Sequence, residues 1–168
     1  MDITSEMVKK LRMKTGAGIM AAKKALEASE GNFSKAEQAL QKQGLALAAK
    51  KAGRDTSEGV IQSYIHNGSR IGALVEVKCE TDFVARTKEF IELSKNLAMQ
   101  IVAMNPLYLD RNSVPTDVET EPASEEILLE QAYIRDQSLT VEDNVKELVS
   151  KVGENIRISR FTRFDLSD

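Results

Sequence analysis

The sequence contains one cysteine, Cys79, one histidine, His66, and no tryptophan. A single cysteine excludes an internal disulfide, and a single histidine excludes a metal site built from several histidines. No apolar run approaches the ~20 residues of a transmembrane helix, and no basic-then-apolar leader opens the chain. We therefore expect a cytoplasmic protein with no metal, no cofactor and no membrane partner.

The small net charge of −3 conceals two unlike parts of the 168-residue chain. Residues 1–54 contain 11 Lys and Arg against 5 Asp and Glu, a net of +6. Residues 55–168 contain 12 against 21, a net of −9, with seven of the acids between positions 110 and 130. Surfaces that differ this much predict two modules, a basic head over 1–54 and an acidic core over 55–168.

Caps and glycines divide the basic head into short helices. The predicted segments are a helix that Thr4 or Ser5 caps and that ends at 15–18, a second over 19–30, a third from Ser34 that Gly44 ends, and a helical linker over 45–51. Three helices in so few residues bury little surface, which favours a docking module over a catalytic body.

Two other functions of the head are weaker. The glycines at 16 and 18 precede a helix and could cradle phosphate, but the Gly-Lys-Ser/Thr of a P-loop does not follow them. Its lysines could bind nucleic acid, yet Phe33 is the head's one aromatic residue and no groove-reading motif is present. An acidic protein surface is the better match for the basic head, and we expect no direct nucleic-acid partner.

The acidic core has the pattern of an antiparallel sheet covered by helices. The predicted elements are strands over 59–66 and 70–79 joined at Asn67-Gly68, a helix over 87–104, a loop that becomes a helix at Ser124, a helix from Thr140 to Gly153, and a strand over 155–165. The inward pattern of this last strand slips between Ile158 and Phe161, which indicates either a bulge or the end of the strand. The fold class is therefore α+β, with three helices followed by a three-stranded antiparallel sheet. The apolar stripe of the 87–104 helix is wider than one small sheet requires, so we expect part of it to face a partner.

The segment 80–86, between strand and helix, contains an unusual aromatic residue. Phe83 follows three polar residues, 80–82, at a point where a simple turn would have glycine or serine. It could fold back as a hydrophobic staple at the start of the following helix. Alternatively, Phe83 is an exposed wedge beside the carboxylate of Asp82, a pairing typical of binding hot spots.

An enzyme would have to use Cys79 as its nucleophile. A thiol nucleophile requires a base, and His66 is the only histidine. Pairing the strands about Asn67-Gly68 places Cys79 at the far end of its strand from His66. We therefore expect no enzymatic activity and interpret Cys79 as a small core residue.

Six stretches of the sequence form a recognisable set, namely VKKLR at 8–12, TGAGIM at 15–20, KKAL at 23–26, AKKA at 49–52, CETDFVA at 79–85 and KVGENI at 151–156. Together they closely resemble elongation factor Ts, the guanine-nucleotide exchange factor of the translation GTPase elongation factor Tu. The resemblance follows the family's order over nearly the whole chain. It implies a ubiquitin-associated-like head and a sheet-plus-helix core that binds Tu.

The resemblance also implies which residues bind the partner. They are Arg12, Ile19, Met20 and Lys23 of the head, and Thr81, Asp82, Phe83 and Val84 of the core, with Asp82 and Phe83 against the nucleotide domain of Tu. Many family members have two core subdomains, whereas this chain has room for one. The short type can restore the pair as a homodimer, which implies a 2:2 complex in which one copy presents Phe83 and the other His66.

Overall fold

The computed structural model describes residues 3–167, which form three helices followed by a sheet packed with helices. In chain order the helices and strands are α1 (Ser5–Thr15), α2 (Ile19–Ala28), α3 (Phe33–Lys51), β1 (Glu58–Ile65), β2 (Ile71–Cys79), α4 (Asp82–Ala85), α5 (Lys88–Met104), β3 (Ala132–Tyr133), β4 (Asp136–Thr140), α6 (Val141–Val152) and β5 (Ile156–Asp165). The predicted α+β fold class is confirmed.

The head begins where the sequence predicts. Thr4 caps α1, since its hydroxyl accepts a hydrogen bond from the Met7 amide at 3.2 Å. Helix α1 ends at Gly16, which has a left-handed φ of 69°. Helices α1, α2 and α3 then bury a small apolar cluster of their own, composed of Leu11, Ala22, Leu26, Ala36 and Leu40.

Helix α3 corrects the prediction of a separate third helix and linker. It starts at Asn32, whose side chain caps it, rather than at Ser34, and it continues without a break to Lys51. Gly44 does not end the helix but is buried within it, against α6. A Cβ at this position would lie 2.6 Å from the Ser150 hydroxyl, so glycine permits the close approach of the two helices. Tertiary packing has overridden a local stop signal.

The three-stranded sheet of the core has β2 at its centre. Its order is β1-β2-β5 and both pairings are antiparallel. The register of β2 against β5 shifts between Glu76 and Val77, which leaves Ser159 as an extra residue. Of the two alternatives predicted between Ile158 and Phe161, the structure has the bulge, because β5 continues to Asp165.

Helices α5 and α6 cover one face of the sheet. Thr87 caps α5, and Thr140 forms a capping box with Asp143 at the start of α6. Of the positions of α5 that widen its apolar stripe, Ala98 and Val102 are buried within this one chain. Met104, at the end of the stripe, is 46% exposed. The expectation that part of the stripe faces a partner stays a prediction, limited to this exposed end.

The loop 105–131 corrects a second prediction. In place of a helix from Ser124, it contains 3-10 turns at Arg111–Ser113, Ser124–Glu126 and Leu128–Glu130. Ile127 and Leu128 are consecutive and both fully buried, whereas a surface helix buries residues three or four apart. Arg111 also restrains the loop, because its guanidinium binds both carboxylate oxygens of Glu130 at 2.6 and 2.7 Å.

A small second sheet, in which β3 pairs with β4, was not predicted from the sequence. The buried Gln100 of α5 supports it. The side-chain amide of Gln100 donates to the Ala132 carbonyl at 3.0 Å, and its side-chain oxygen accepts from the Ile134 amide at 2.7 Å.

No helix over residues 3–167 has the length and apolar character needed to cross a membrane.

Candidate functional site

The turn that carries Phe83 is the four-residue helix α4 at the end of β2. Thr81 caps it and accepts from the Val84 amide at 3.4 Å. Val84 and Ala85 are buried in the core, whereas the Phe83 side chain is 78% exposed. The staple alternative is therefore excluded, because a staple would bury the ring. Phe83 instead projects from a turn that its neighbours anchor.

Asp82 is also exposed and lies beside Phe83 on this turn. Its carboxylate forms an i,i+4 ion pair with Arg86 at 2.9 Å, with both side chains largely in solvent. An exposed pair of this kind stabilises the fold by at most about 1 kcal/mol. A partner can therefore take over the Asp82 carboxylate at little cost.

Thr81 is held from a distant part of the chain. Glu154 follows α6 and accepts two hydrogen bonds from Thr81, one from its amide at 3.0 Å and one from its hydroxyl at 2.7 Å. Glu80, the residue before Thr81, accepts in turn from the Asn155 amide at 2.6 Å. These reciprocal bonds join the stretches CETDFVA and KVGENI, which are far apart in sequence.

The end of α3 joins the same junction. The Asn155 side-chain amide donates to the carbonyls of Ala52 at 3.2 Å and Arg54 at 2.8 Å. The Lys51 ammonium donates to the Gly153 carbonyl. Three of the stretches that carry the family resemblance therefore meet at one place. The roles of Glu154 and Asn155 at this junction were not predicted from the sequence.

The predicted contact residues of the head lie around the α1–α2 turn. Ile19 and Met20 open α2 and are 59% and 64% exposed, although both are apolar. Arg12 is exposed on α1, and Lys23 is exposed on α2, where it lies 3.8 Å from Glu27. Met13 is a further exposed apolar side chain of α1 that was not predicted as a contact residue.

His66 lies at the opposite end of the β1–β2 hairpin from Phe83. The register pairs Glu58 with Cys79 at one end and Ile65 with Gly72 at the other, roughly 23 Å apart along the strand. The His66 ring is exposed, and its Nδ1 lies 3.2 Å from the Tyr64 hydroxyl. One copy of the chain therefore does not bring His66 and Phe83 together. The role of His66 stays a prediction.

Cys79 is placed as a core residue. It is fully buried and its thiol donates to the Thr81 carbonyl at 3.1 Å. Burial, with the nearby carboxylate of Glu154 as a second cause, raises the pKa of the Cys79 thiol to about 11. At neutral pH the thiol is protonated and a poor nucleophile.

Over residues 3–167, no three His, Cys, Asp or Glu side chains are clustered to hold a metal ion.

Comparison with known proteins identifies the family. Residues 2–132 match the family described as Elongation factor TS. The chain is 46% identical to elongation factor Ts of Thermotoga neapolitana, over 100% of this chain and 99% of that protein. It is also 48% identical to elongation factor Ts of Nitratidesulfovibrio vulgaris, over 99% and 98% of the two chains. The chain belongs to the elongation factor Ts family of translation elongation factors.

Proposed function

We propose that this chain is the guanine-nucleotide exchange factor of elongation factor Tu. It binds GDP-bound Tu and promotes the release of GDP. The observation that carries the proposal is the 78% exposed Phe83 on a turn anchored by buried Val84 and Ala85. An exposed aromatic side chain on a fixed support is typical of a binding hot spot.

The exchange is a thermodynamic coupling and requires no acid, base or nucleophile from this chain. A protein that binds empty Tu more tightly than GDP-bound Tu also weakens the binding of GDP to Tu. The ratio of its two affinities for Tu equals the ratio by which the affinity for GDP falls. Phe83 wedges between helices of the GTPase and shifts them, and Asp82 competes for polar groups near the nucleotide. Mg²⁺ requires near-ideal octahedral geometry, so a small displacement of its ligands is costly. A loss of ~4 kcal/mol in the binding free energy of GDP corresponds to a rise of about a thousandfold in its dissociation constant.

The head supplies a second contact with the nucleotide domain of Tu. Ile19 and Met20 offer exposed apolar surface, and Arg12 and Lys23 flank it with positive charge. The +6 charge of residues 1–54 then complements an acidic surface on the GTPase. We assign ground-state binding mainly to the head and the displacement of GDP mainly to Phe83.

We also propose that two copies pair and form a 2:2 complex with Tu. Because most of the apolar stripe of α5 is buried within one chain, we place the pairing surface on the outer face of the sheet. Ile61, Ile65, Leu74 and Phe164 are exposed there, and the strand registers place them on the same face. A patch of this kind on a soluble domain favours self-association. One copy would present Phe83 and the other His66, within the cytoplasm.

Release of fluorescent GDP from Tu, with catalytic amounts of this protein, tests the exchange function. We expect fast release with the wild type and a large loss of rate with Phe83→Ala. Leu107→Ala is the matched control, because Leu107 is an exposed apolar residue in the loop after α5. Full speed from Phe83→Ala refutes the wedge. Stable binding without any release would instead support a scaffold that recruits its partner.

Light scattering tests the homodimer. We expect a particle of twice the 18.6 kDa chain mass, and the Leu74→Glu variant should shift it to the monomer because a charge enters the outer sheet face. A wild-type particle of 18.6 kDa at micromolar concentration refutes the dimer. The exchange function is tested separately, in the GDP assay.

A further inference from the structure

We propose that Glu154 is a positioning residue that fixes the direction in which Phe83 points. This inference rests on the proposed exchange function and names a residue that acts through Phe83 without touching Tu. The geometry behind it is the pair of hydrogen bonds from Thr81 to the Glu154 carboxylate.

Phe83 takes its direction from the backbone of α4. Its side chain is 78% exposed, so the packing of the ring itself contributes little to holding it. Helix α4 has only four residues, and a single helical turn is too short to be stable alone. Its C-terminal half is fixed, because Val84 and Ala85 are buried in the core. The N-terminal half depends on Thr81.

The bonds to Glu154 suit Thr81 for this task. The Thr81 hydroxyl donates its hydrogen to the carboxylate at 2.7 Å, which leaves an oxygen lone pair for the Val84 amide at 3.4 Å. The carboxylate thus sets the orientation of the cap. Hydrogen bonds to a charged acceptor are about twice as strong as neutral ones. The Thr81 amide is fixed by the same carboxylate, and its carbonyl accepts from the Cys79 thiol at 3.1 Å.

Glu154 is itself held in place. Gly153, the residue before it, has a left-handed φ of 80° that ends α6, and its carbonyl accepts from the Lys51 ammonium. Asn155, the residue after it, is buried and bonded to Glu80 and to the segment after α3. The direction of Phe83 is therefore set relative to the end of α3, the last helix of the head.

A double-mutant cycle on GDP release tests the inference. We expect Glu154→Ala to lower kcat by about tenfold, since it removes two charge-assisted hydrogen bonds, with a smaller change in the KM for GDP-bound Tu. In a Phe83→Ala background the same change should have no further effect on kcat. Thr81→Val keeps the shape of the side chain and the backbone amide that binds Glu154. It should lower kcat less than Glu154→Ala does, and this loss of kcat should also vanish in the Phe83→Ala background. The matched control is Glu142→Ala, which removes an exposed glutamate paired with Lys146 on α6.

A second measurement does not depend on Tu. The chain has no tryptophan, so Phe83→Trp introduces a single fluorescent reporter. We expect its time-resolved anisotropy to show a wider local motion when Glu154→Ala is added, and no change with Glu142→Ala. Wild-type kcat and unchanged anisotropy in Glu154→Ala would overturn the positioning role. An equal loss of kcat in the presence and absence of Phe83 would overturn it as well. Failure of the wild type to release GDP overturns the proposed exchange function, and the anisotropy then decides the positioning role alone.

Discussion

The contact between α3 and α6 predicts an unusual outcome for Gly44→Ala. In an exposed helix interior, replacing glycine by alanine stabilises the helix by about 1 kcal/mol. Here the new Cβ would lie 2.6 Å from the Ser150 hydroxyl oxygen and 3.1 Å from the Ser150 Cβ. Rotation of the hydroxyl can relieve the first contact. The second joins two atoms that are fixed to helix backbones, so one helix must move.

Overpacking of this kind costs about 1–3 kcal/mol, which exceeds the gain in helix propensity. We therefore expect Gly44→Ala to lower the free energy of unfolding by about 1 kcal/mol. The sign should reverse in a Ser150→Gly background, where both close contacts are absent. There the alanine should stabilise the protein by about 1 kcal/mol relative to glycine at the same position.

Urea unfolding of the four proteins in this cycle measures the coupling between the two positions. The expected coupling is about 2 kcal/mol, well above what independent sites show. If Gly44→Ala stabilises both backgrounds equally, the two helices are not in contact at this point. The close packing of α3 against α6 at Gly44 would then be wrong.

Three further predictions concern the core. Thr140→Ala removes the capping box of α6 and should lower the free energy of unfolding by about 1 kcal/mol, as read from urea unfolding. Asn155→Ala leaves two backbone carbonyls after α3 without their donor and should cost about 2 kcal/mol in the same assay, whereas a loss below the error would refute the junction. The pKa of Cys79 is raised from 9.0 to about 11, so the folded state favours the protonated thiol. Its contribution to stability is complete below pH 9 and is lost as the pH rises to about 11, and Cys79→Ala should remove this dependence from pH-resolved unfolding curves.

Much of the fold follows from local signals in the sequence. The caps Thr4, Thr87 and Thr140 begin helices, and Asn67-Gly68 joins β1 to β2. These signals work because they satisfy backbone groups within a few residues. The irregularity in β5 was also predictable, because the alternation of its side chains is interrupted at Ser159, although the pattern did not separate a bulge from a strand end.

The failures share a different physical cause. Gly44 has the local signature of a helix end, but packing against Ser150 retains it inside α3. Most of the wide stripe of α5, which by its pattern alone could face a partner, is buried within the same chain. In each case the deciding contact joins residues that are far apart in sequence.

The candidate site was predictable in part. The sequence singles out Phe83 as unusual, but its local pattern is compatible with either a buried staple or an exposed wedge. Only the placement of Val84 and Ala85 in the core, with Phe83 outside it, decides between them. The role of Glu154 requires the pairing of two distant turns, which no local spacing reveals.

The rate of GDP release from Tu with Phe83→Ala tests the central claim most directly. The measurement compares wild type, Phe83→Ala and Leu107→Ala at the same catalytic concentration. We predict fast release with the wild type and Leu107→Ala, and a loss of most of the acceleration with Phe83→Ala. Equal acceleration by all three proteins would contradict the claim that Phe83 drives the exchange.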